Sequence, residues 1–379
     1  MTKTVQFSVL VLAIFLSGLV GVTNSQNLPA QKTRPQSAKQ KKKPFDIDRL
    51  FAESVVIDGN VNYFSPSGLG QPDFRNVKKR TGINFGGITL SSERSLDGQV
   101  ASIKRGRFRG VRAILSAKDF DLALKNKEYG ILFYSQGHFP LKGDIKNLKR
   151  WHAKGLRIFQ IAYGSKDKNQ GPGEKLGGGS DQKIGLTPLG KKAVAELIRL
   201  KMVVDLSHCN SQTVFDVAAI AKKQGTPITA NHTAAREIRD RFGRYRARYS
   251  RNISDKALQA IKSTDGVVGI MAYPPYLYNA SQQLDGRTPR ALQRKKTVDD
   301  YVAHVDYVIK KIGIDHVGLS TDGYLDGSHV RNRKADGILD SPARWKAVIL
   351  RLHEKGYSEA DLKKIMGLNF LRVYRKVLR

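Results

Sequence analysis

Eight short runs of apolar, largely β-branched residues recur along this chain from Phe51 onward, each parted from the next by a longer polar or amphipathic stretch. They fall at Val55–Asn60, Ile83–Leu90, Ile131–Gln136, Ile158–Tyr163, Met202–His208, Pro227–His232, Val267–Tyr273 and Val317–Asp322. Near-continuous apolar runs of this length suit strands of a parallel sheet buried on both faces, and the stretches between them supply crossover helices. Eight such units make an α/β fold of the (β/α)8 TIM-barrel type, which takes about 250 residues or more with insertions. A chain of 379 residues therefore needs one catalytic-type domain with tails, not two domains. Helices are expected over Lys191–Leu200, Ser211–Lys223, Ser254–Ser263 and Val298–Ile312. Near the C-terminus Gly356 stops one helix, and Ser358 caps the next ahead of a first turn holding Glu359 and Asp361, where carboxylates meet the positive end of the helix.

The remaining N-terminal residues read differently. Lys3, an apolar run from Val9 to Val22 and the small polar residues Thr23, Asn24 and Ser25 form a secretory signal pattern over residues 1–25, too short for the ~20 apolar residues of a spanning helix. The expectation is a secreted, periplasmic or cell-envelope protein with no transmembrane span after cleavage. Residues 26–44 are basic, polar and Pro-containing and read as a disordered linker, which leaves residues 45–379 for the barrel. The single cysteine, Cys209, rules out a disulfide framework. With 66 Lys and Arg against 33 Asp and Glu, the formal charge is +33, which reads first as a generally basic surface and, as the alternative, as one that contacts anionic surfaces such as lipid headgroups or acidic envelope polymers. The cations are spread through helices and loops without interleaved aromatics, so no specific nucleic-acid recognition is expected. The glycine-rich stretch starting at Gly171 lacks the Lys-Ser/Thr ending of a phosphate loop.

In a parallel barrel the chemistry sits at the C-terminal ends of the strands. VVDLSH ends at His208, PITANH at His232 and HVGLSTD at Asp322. Two imidazoles and a carboxylate are a zinc set when they converge, with water in the fourth position. The earlier strands end differently: VVIDGNVN offers Asn60 and Asn62, and ILFYSQG offers Gln136. Amides give only neutral oxygen donors, and they can bond one another as a neutral network. Cys209 follows His208 and, by strand alternation, points away from it.

Several ordered motifs together resemble the renal (membrane) dipeptidase family of binuclear zinc peptidases on a metal-dependent-hydrolase barrel: GLTPLGKKAVAELIRLKMVVDLSH, PITANHTAAREI, RNISDKALQAIKSTDGVVGIMAYPP, TVDDYVAHVDYVIKKIGIDHVGLSTD and GYSEADLKKIMGLNFLRVYRKV. The likeness runs from about Phe45 to the C-terminus. It implies that His208, His232 and Asp322 keep family metal positions, while Asn60 and Asn62 replace a His-x-Asp pair and Gln136 replaces the Glu that bridges both metals. A family histidine that polarises the substrate carbonyl falls on Tyr163, and the arginine gripping the substrate carboxylate falls on Arg251. Lys118 and Asp119 offer a second register for the bridging position. Losing the bridging carboxylate leaves two dications to repel each other, so the set implies one zinc ion. The implied activity is hydrolysis of dipeptides or related short amides, with Asp322 moving the proton, Tyr163 steadying the oxyanion and Arg251 holding the carboxylate. The alternative is an inactive homologue that binds peptide-like ligands or anionic envelope material.

Overall fold

All eight apolar runs form strands: β1 (Ile57–Val61), β2 (Phe85–Leu90), β3 (Tyr129–Ser135), β4 (Leu156–Gln160), β5 (Val203–Asp205), β6 (Thr229–Thr233), β7 (Val267–Met271) and β8 (Val317–Ser320). The computed structural model describes residues 44–61, 73–90, 93–164, 175–239, 251–277, 290–325, 339 and 341–379. The expected signal segment, nearly all of the basic linker, and Asn62 lie outside them. One compact unit runs over Asp46–Arg379.

Every strand pairing is parallel, and the pairing closes on itself. Ile57 pairs with Phe85, Phe85 with Gly130, Phe133 with Leu156 and Ile158 with Val203. Asp205 then pairs with Thr229, Thr229 with Val267, Val268 with Val317 and Leu319 with Asp58. A barrel closed in this way has no exposed edge. A ninth strand, Val111–Ala113, pairs only with the first residues of β3 and stands outside the ring. It was not among the expected strands, because three residues carry too little pattern to separate a strand from a loop.

The helices follow the capping chemistry of the sequence. Ser211–Lys223 is found with the expected bounds and Asn210 as its cap, and Ser254 caps Asp255–Lys262. Ser358 and Asp361 form a reciprocal capping box at the start of Glu359–Lys363. The expected Val298–Ile312 helix starts earlier, at Arg290. The C-terminal helix, Asn369–Val377, puts the buried Phe370 ring where β1, β7 and β8 each carry glycine. A Cβ on Gly59, Gly269 or Gly318 would lie within 3.0 Å of that ring. The close-packed interior thus holds the strands rigidly while their C-terminal ends carry the polar residues.

Candidate active site at the barrel mouth

The strands do not run as far as the sequence suggests, and the difference shapes the site. β5 ends at Asp205 and β8 at Ser320, so His208 and Asp322 stand on turns past the strand ends. Both have left-handed backbone, with φ of 66° and 53°. Non-glycine residues adopt this region rarely and at a cost, so the surrounding structure must hold them there. For Asp322 the holding contacts are visible: its N–H donates to the Asn60 carbonyl at 3.0 Å, and its Oδ1 accepts from Asn60 Nδ2 at 2.9 Å.

That contact ends a chain of hydrogen bonds running around the barrel. Gln136 Nε2 donates to Thr89 Oγ1 at 3.1 Å, Thr89 Oγ1 donates to Asn60 Oδ1 at 2.9 Å, and Asn60 donates to the Asp322 carboxylate. Four neighbouring strands, β3, β2, β1 and β8, thereby exchange donors and acceptors directly. Asn60 is fully buried and Gln136 nearly so, which makes each unmade bond costly and the completed chain stiff. Thr89 had no place in the sequence reading; a threonine in a β-rich run looks like any other strand residue.

On the opposite arc the two histidines meet. His208 Nε2 and His232 Nε2 are 3.1 Å apart, and Arg251 Nη2 lies 2.7 Å from the same nitrogen of His208. A guanidinium can only donate. His208 Nε2 therefore accepts, and its ring carries the proton on Nδ1. Arg251 is itself fixed: Nη1 donates to the His232 carbonyl at 3.0 Å, its guanidinium lies 5.0 Å from the Tyr276 ring centroid, and it is 6% exposed. Burial, and the nearby Arg251 charge, push His232 well below the ordinary imidazole range, so it is neutral. Tyr163 stacks on His208, with centroids 3.9 Å apart and planes 24° from parallel; it stands at the mouth beside the histidines, as its place in the sequence suggested.

Beneath the histidines lies a second network that sequence reasoning missed. Tyr134 donates to Asp205 Oδ2 at 2.5 Å and sits 3.3 Å from His232 Nδ1. Asp205 Oδ1 also accepts from Ser207 Oγ at 3.0 Å and from the Asn231 N–H at 2.6 Å. On the far side Asp58 accepts from the Thr321 N–H at 2.8 Å and from the Thr321 hydroxyl. The available signal was one carboxylate inside each apolar run, VVID and VVD, since an acidic residue there is almost never buried unless paired.

Burial outweighs these hydrogen bonds and raises both Asp58 and Asp205 to about 6. A carboxyl raised from its usual 3.8 contributes stability that is present below the unfolded pKa and lost as pH rises through the folded one. The window is about pH 4 to 6, and each group changes stability by up to about 3 kcal/mol. An Asp205→Asn variant should gain about 2 kcal/mol of that on the wild type as pH rises from 4 to 6 in urea unfolding. A stability difference independent of pH over that range would show that Asp205 is not titrating there.

Two other sequence readings need correction. Lys118 is exposed, and Asp119 accepts from the Ser116 N–H and hydroxyl at 2.8 and 2.9 Å as the box of its own helix, so neither reaches a bridging position. Cys209 is not on a strand but follows the turn at His208; it is buried, and burial pushes its thiol far up, against any nucleophilic use.

The family model for membrane dipeptidases (peptidase family M19) matches residues 99–379, three quarters of the chain and all of β3 to β8. The chain belongs to the membrane dipeptidase family. It is similar to an uncharacterized protein encoded in the pqqA 5' region of Klebsiella pneumoniae, 28% identical over 268 residues covering 70% of this chain and 89% of that one. It is also similar to the dipeptidase tcpJ of Claviceps purpurea, 27% identical over 248 residues, 65% of this chain and 50% of that one. The match thus spans only about half the length of the fungal dipeptidase. Among solved structures, an amidohydrolase from Pseudomonas aeruginosa superposes with a TM-score of 0.68 at 22% identity over 88% of this chain and 99% of that one. A metallopeptidase from Rhodobacter sphaeroides, solved with a phosphinate mimic of the dipeptide L-Ala-D-Ala, gives 0.64 at 18% identity over 86% and 100%. These likenesses confirm the metal-dependent-hydrolase barrel.

Membership in a metallopeptidase family implies a metal centre, and the side chains here can be tested against one. His208, His232 and Asp322 share the mouth but form no ligand cluster: among the described residues no group of three His, Cys, Asp or Glu could hold an ion. Asp322 is turned to Asn60, Gln136 spends its amide on Thr89, and the Arg251 cation takes the His208 lone pair that a metal would need. Moving a dication to that nitrogen would set it against a buried guanidinium. The residues do not fit the family's metal centre as arranged. Asn62, the other replaced ligand, lies outside the described residues. Among those residues no helix is long and apolar enough to cross a membrane.

Proposed function

We propose that this dipeptidase-family barrel recognises short peptides or related amides at its mouth through their free carboxylate, and does so without the family's paired-metal hydrolysis. The observation that carries the reading is the Arg251–His208 contact at 2.7 Å. It keeps one buried cation at the mouth, aimed at a neutral acceptor that binds it less strongly than a carboxylate would. A ligand carboxylate approaching Arg251 exchanges a neutral partner for a charged one, and His208 is released in the same step. The family likeness and the dipeptidase relatives support a dipeptide-like ligand as the class.

The amide chain from Gln136 to Asp322 supports the absence of paired-metal chemistry, because it satisfies with neutral groups the positions where two cations would need negative charge. The Asp322 carboxylate, which accepts from Asn60, supplies a negative charge at the mouth for a ligand's amino group.

A second reading, hydrolysis with a single zinc ion, is favoured by one observation: the two Nε2 atoms 3.1 Å apart would both face an ion if Arg251 swung to a substrate carboxylate. His208 and His232 would then hold the ion, with Asp322 available to carry a proton and Tyr163 to face the oxyanion.

The two readings part in calorimetry on chelator-treated protein with Ala-Ala and with its C-terminal amide. Recognition through Arg251 predicts that Ala-Ala binds without added metal and that the amide binds at least about tenfold more weakly. Binding seen only after zinc is restored would overturn the first reading in favour of the second.

A further inference from the structure

The strands of a parallel barrel all start at one face, and the face opposite the mouth carries a cavity of about 580 Å3. Its lining includes Ile83 and Asn84, which lead into β2, and Tyr129, the first residue of β3, together with the helix Ile47–Glu53. Nothing in the peptide-recognition reading uses it. Its size falls within the usual range of small-molecule pockets, roughly 300–1,000 Å3.

The floor is apolar and preformed. Phe51, Phe74, Ile83 and Tyr129 are each at most 4% exposed, and the Phe74 and Tyr129 rings stack with centroids 5.6 Å apart and planes at 14°. Gly82, with φ of +79°, lets the wall close: a Cβ there would lie 2.5 Å from the Phe51 ring. The rim is cationic, with five basic and two acidic side chains in the lining. Arg75 is taken by Asp73, Lys346 by Asp48, and Lys78 donates to the carbonyls of Ala52 and Ser54. The acidic Glu128 is taken by Arg112. The ammonium groups of Lys79 and Lys127 have no hydrogen-bonding or ion-pair partner among the described residues, so the rim carries two uncompensated cations.

We propose that this cavity binds a small amphiphilic carboxylate, its apolar body on the Phe51, Phe74 and Tyr129 floor and its head at Lys79 and Lys127. Two flexible point charges suit a small anionic head, and Arg75, the one fork in the lining that would favour bidentate binding of phosphate, is taken by Asp73, so a carboxylate is the head group that the lining fits best. Burial of the apolar body supplies most of the affinity and the ammonium groups the selectivity for an anion.

The test is calorimetry on the full chain with decanoate below its micelle concentration, using decanol and acetate as controls and folding checked by thermal melting. Decanoate is expected to bind one per chain, acetate not detectably, and decanol at least about tenfold more weakly. The double variant Lys79→Gln/Lys127→Gln should lose about tenfold or more in decanoate affinity and leave decanol unchanged. Ala52→Trp, an exposed helix position lining the cavity, should abolish binding of both while leaving Ala-Ala binding at the mouth as it was. Absence of decanoate binding, equal binding of decanol, or decanoate binding that survives Ala52→Trp would each overturn the proposal.

Discussion

Replacing Arg251 with alanine should weaken binding of a dipeptide by a factor of about 30 or more, with the C-terminal dipeptide amide far less affected. Truncating one member of a buried, hydrogen-bonded charge pair typically costs about 2–5 kcal/mol, which is roughly 30- to 5,000-fold in affinity. Arg251 meets the conditions for the upper part of that range: it is almost fully buried, held by the His232 carbonyl and stacked on Tyr276, so little side-chain ordering remains to be done on binding. Arg251→Lys is expected to recover only part of the loss, since an ammonium keeps the charge but cannot hold the His232 carbonyl and a carboxylate in the same planar geometry. Equal losses for the dipeptide and its amide would mean that Arg251 supports the mouth structurally without reading the carboxylate.

The largest stability effect is expected at Arg344, which holds the other side of the mouth. Its side chain is 1% exposed; Nη1 donates to Thr321 Oγ1 at 2.8 Å, Nη2 to the Tyr324 carbonyl at 3.2 Å, and Nε to the Ser341 carbonyl at 2.9 Å. Thr321 in turn donates to the buried Asp58. Arg344→Met keeps much of the volume but removes the side-chain donors to the Thr321 hydroxyl and to the Tyr324 and Ser341 carbonyls, and it takes from Asp58 its compensating cation. Breaking a buried charged network from one side costs about 3–5 kcal/mol, and urea unfolding at pH 7 should show a loss of that size. Adding Asp58→Asn should return a substantial part of it, because the neutral amide no longer needs the cation. A single-variant loss under about 1 kcal/mol, or strict additivity of the two changes, would contradict the coupling.

How much of this was legible in the residues divides along a physical line. The strands were, because a barrel strand is buried on both faces and its β-branched run survives any change of chemistry at the mouth. The ends of the strands were not: nothing local in LSHC or STDG announces that His208 and Asp322 leave the strand and turn left-handed, since that conformation is imposed by contacts such as the Asn60 carbonyl from 262 residues away. The site residues were partly legible. His208, His232, Tyr163, Gln136, Asn60 and Asp322 were picked out at strand ends and Arg251 in the RNIS segment, and a neutral amide network runs through Asn60, with Thr89 as the link that no motif marks. Tyr134, Asp205 and Arg344 were missed because their roles depend on partners on other strands. The contact between Arg251 and His208 was invisible for the same reason: it is a matter of where a long side chain goes, and a sequence position fixes only where it starts.

The most direct test of the account is the zinc content of purified protein after mild chelation and reloading, read beside dipeptide binding on the same sample. The account predicts well under one tightly held zinc per chain, with dipeptide binding intact and dependent on Arg251. One zinc per chain, lost in His232→Ala together with dipeptide binding, would contradict it and establish the single-metal hydrolase instead.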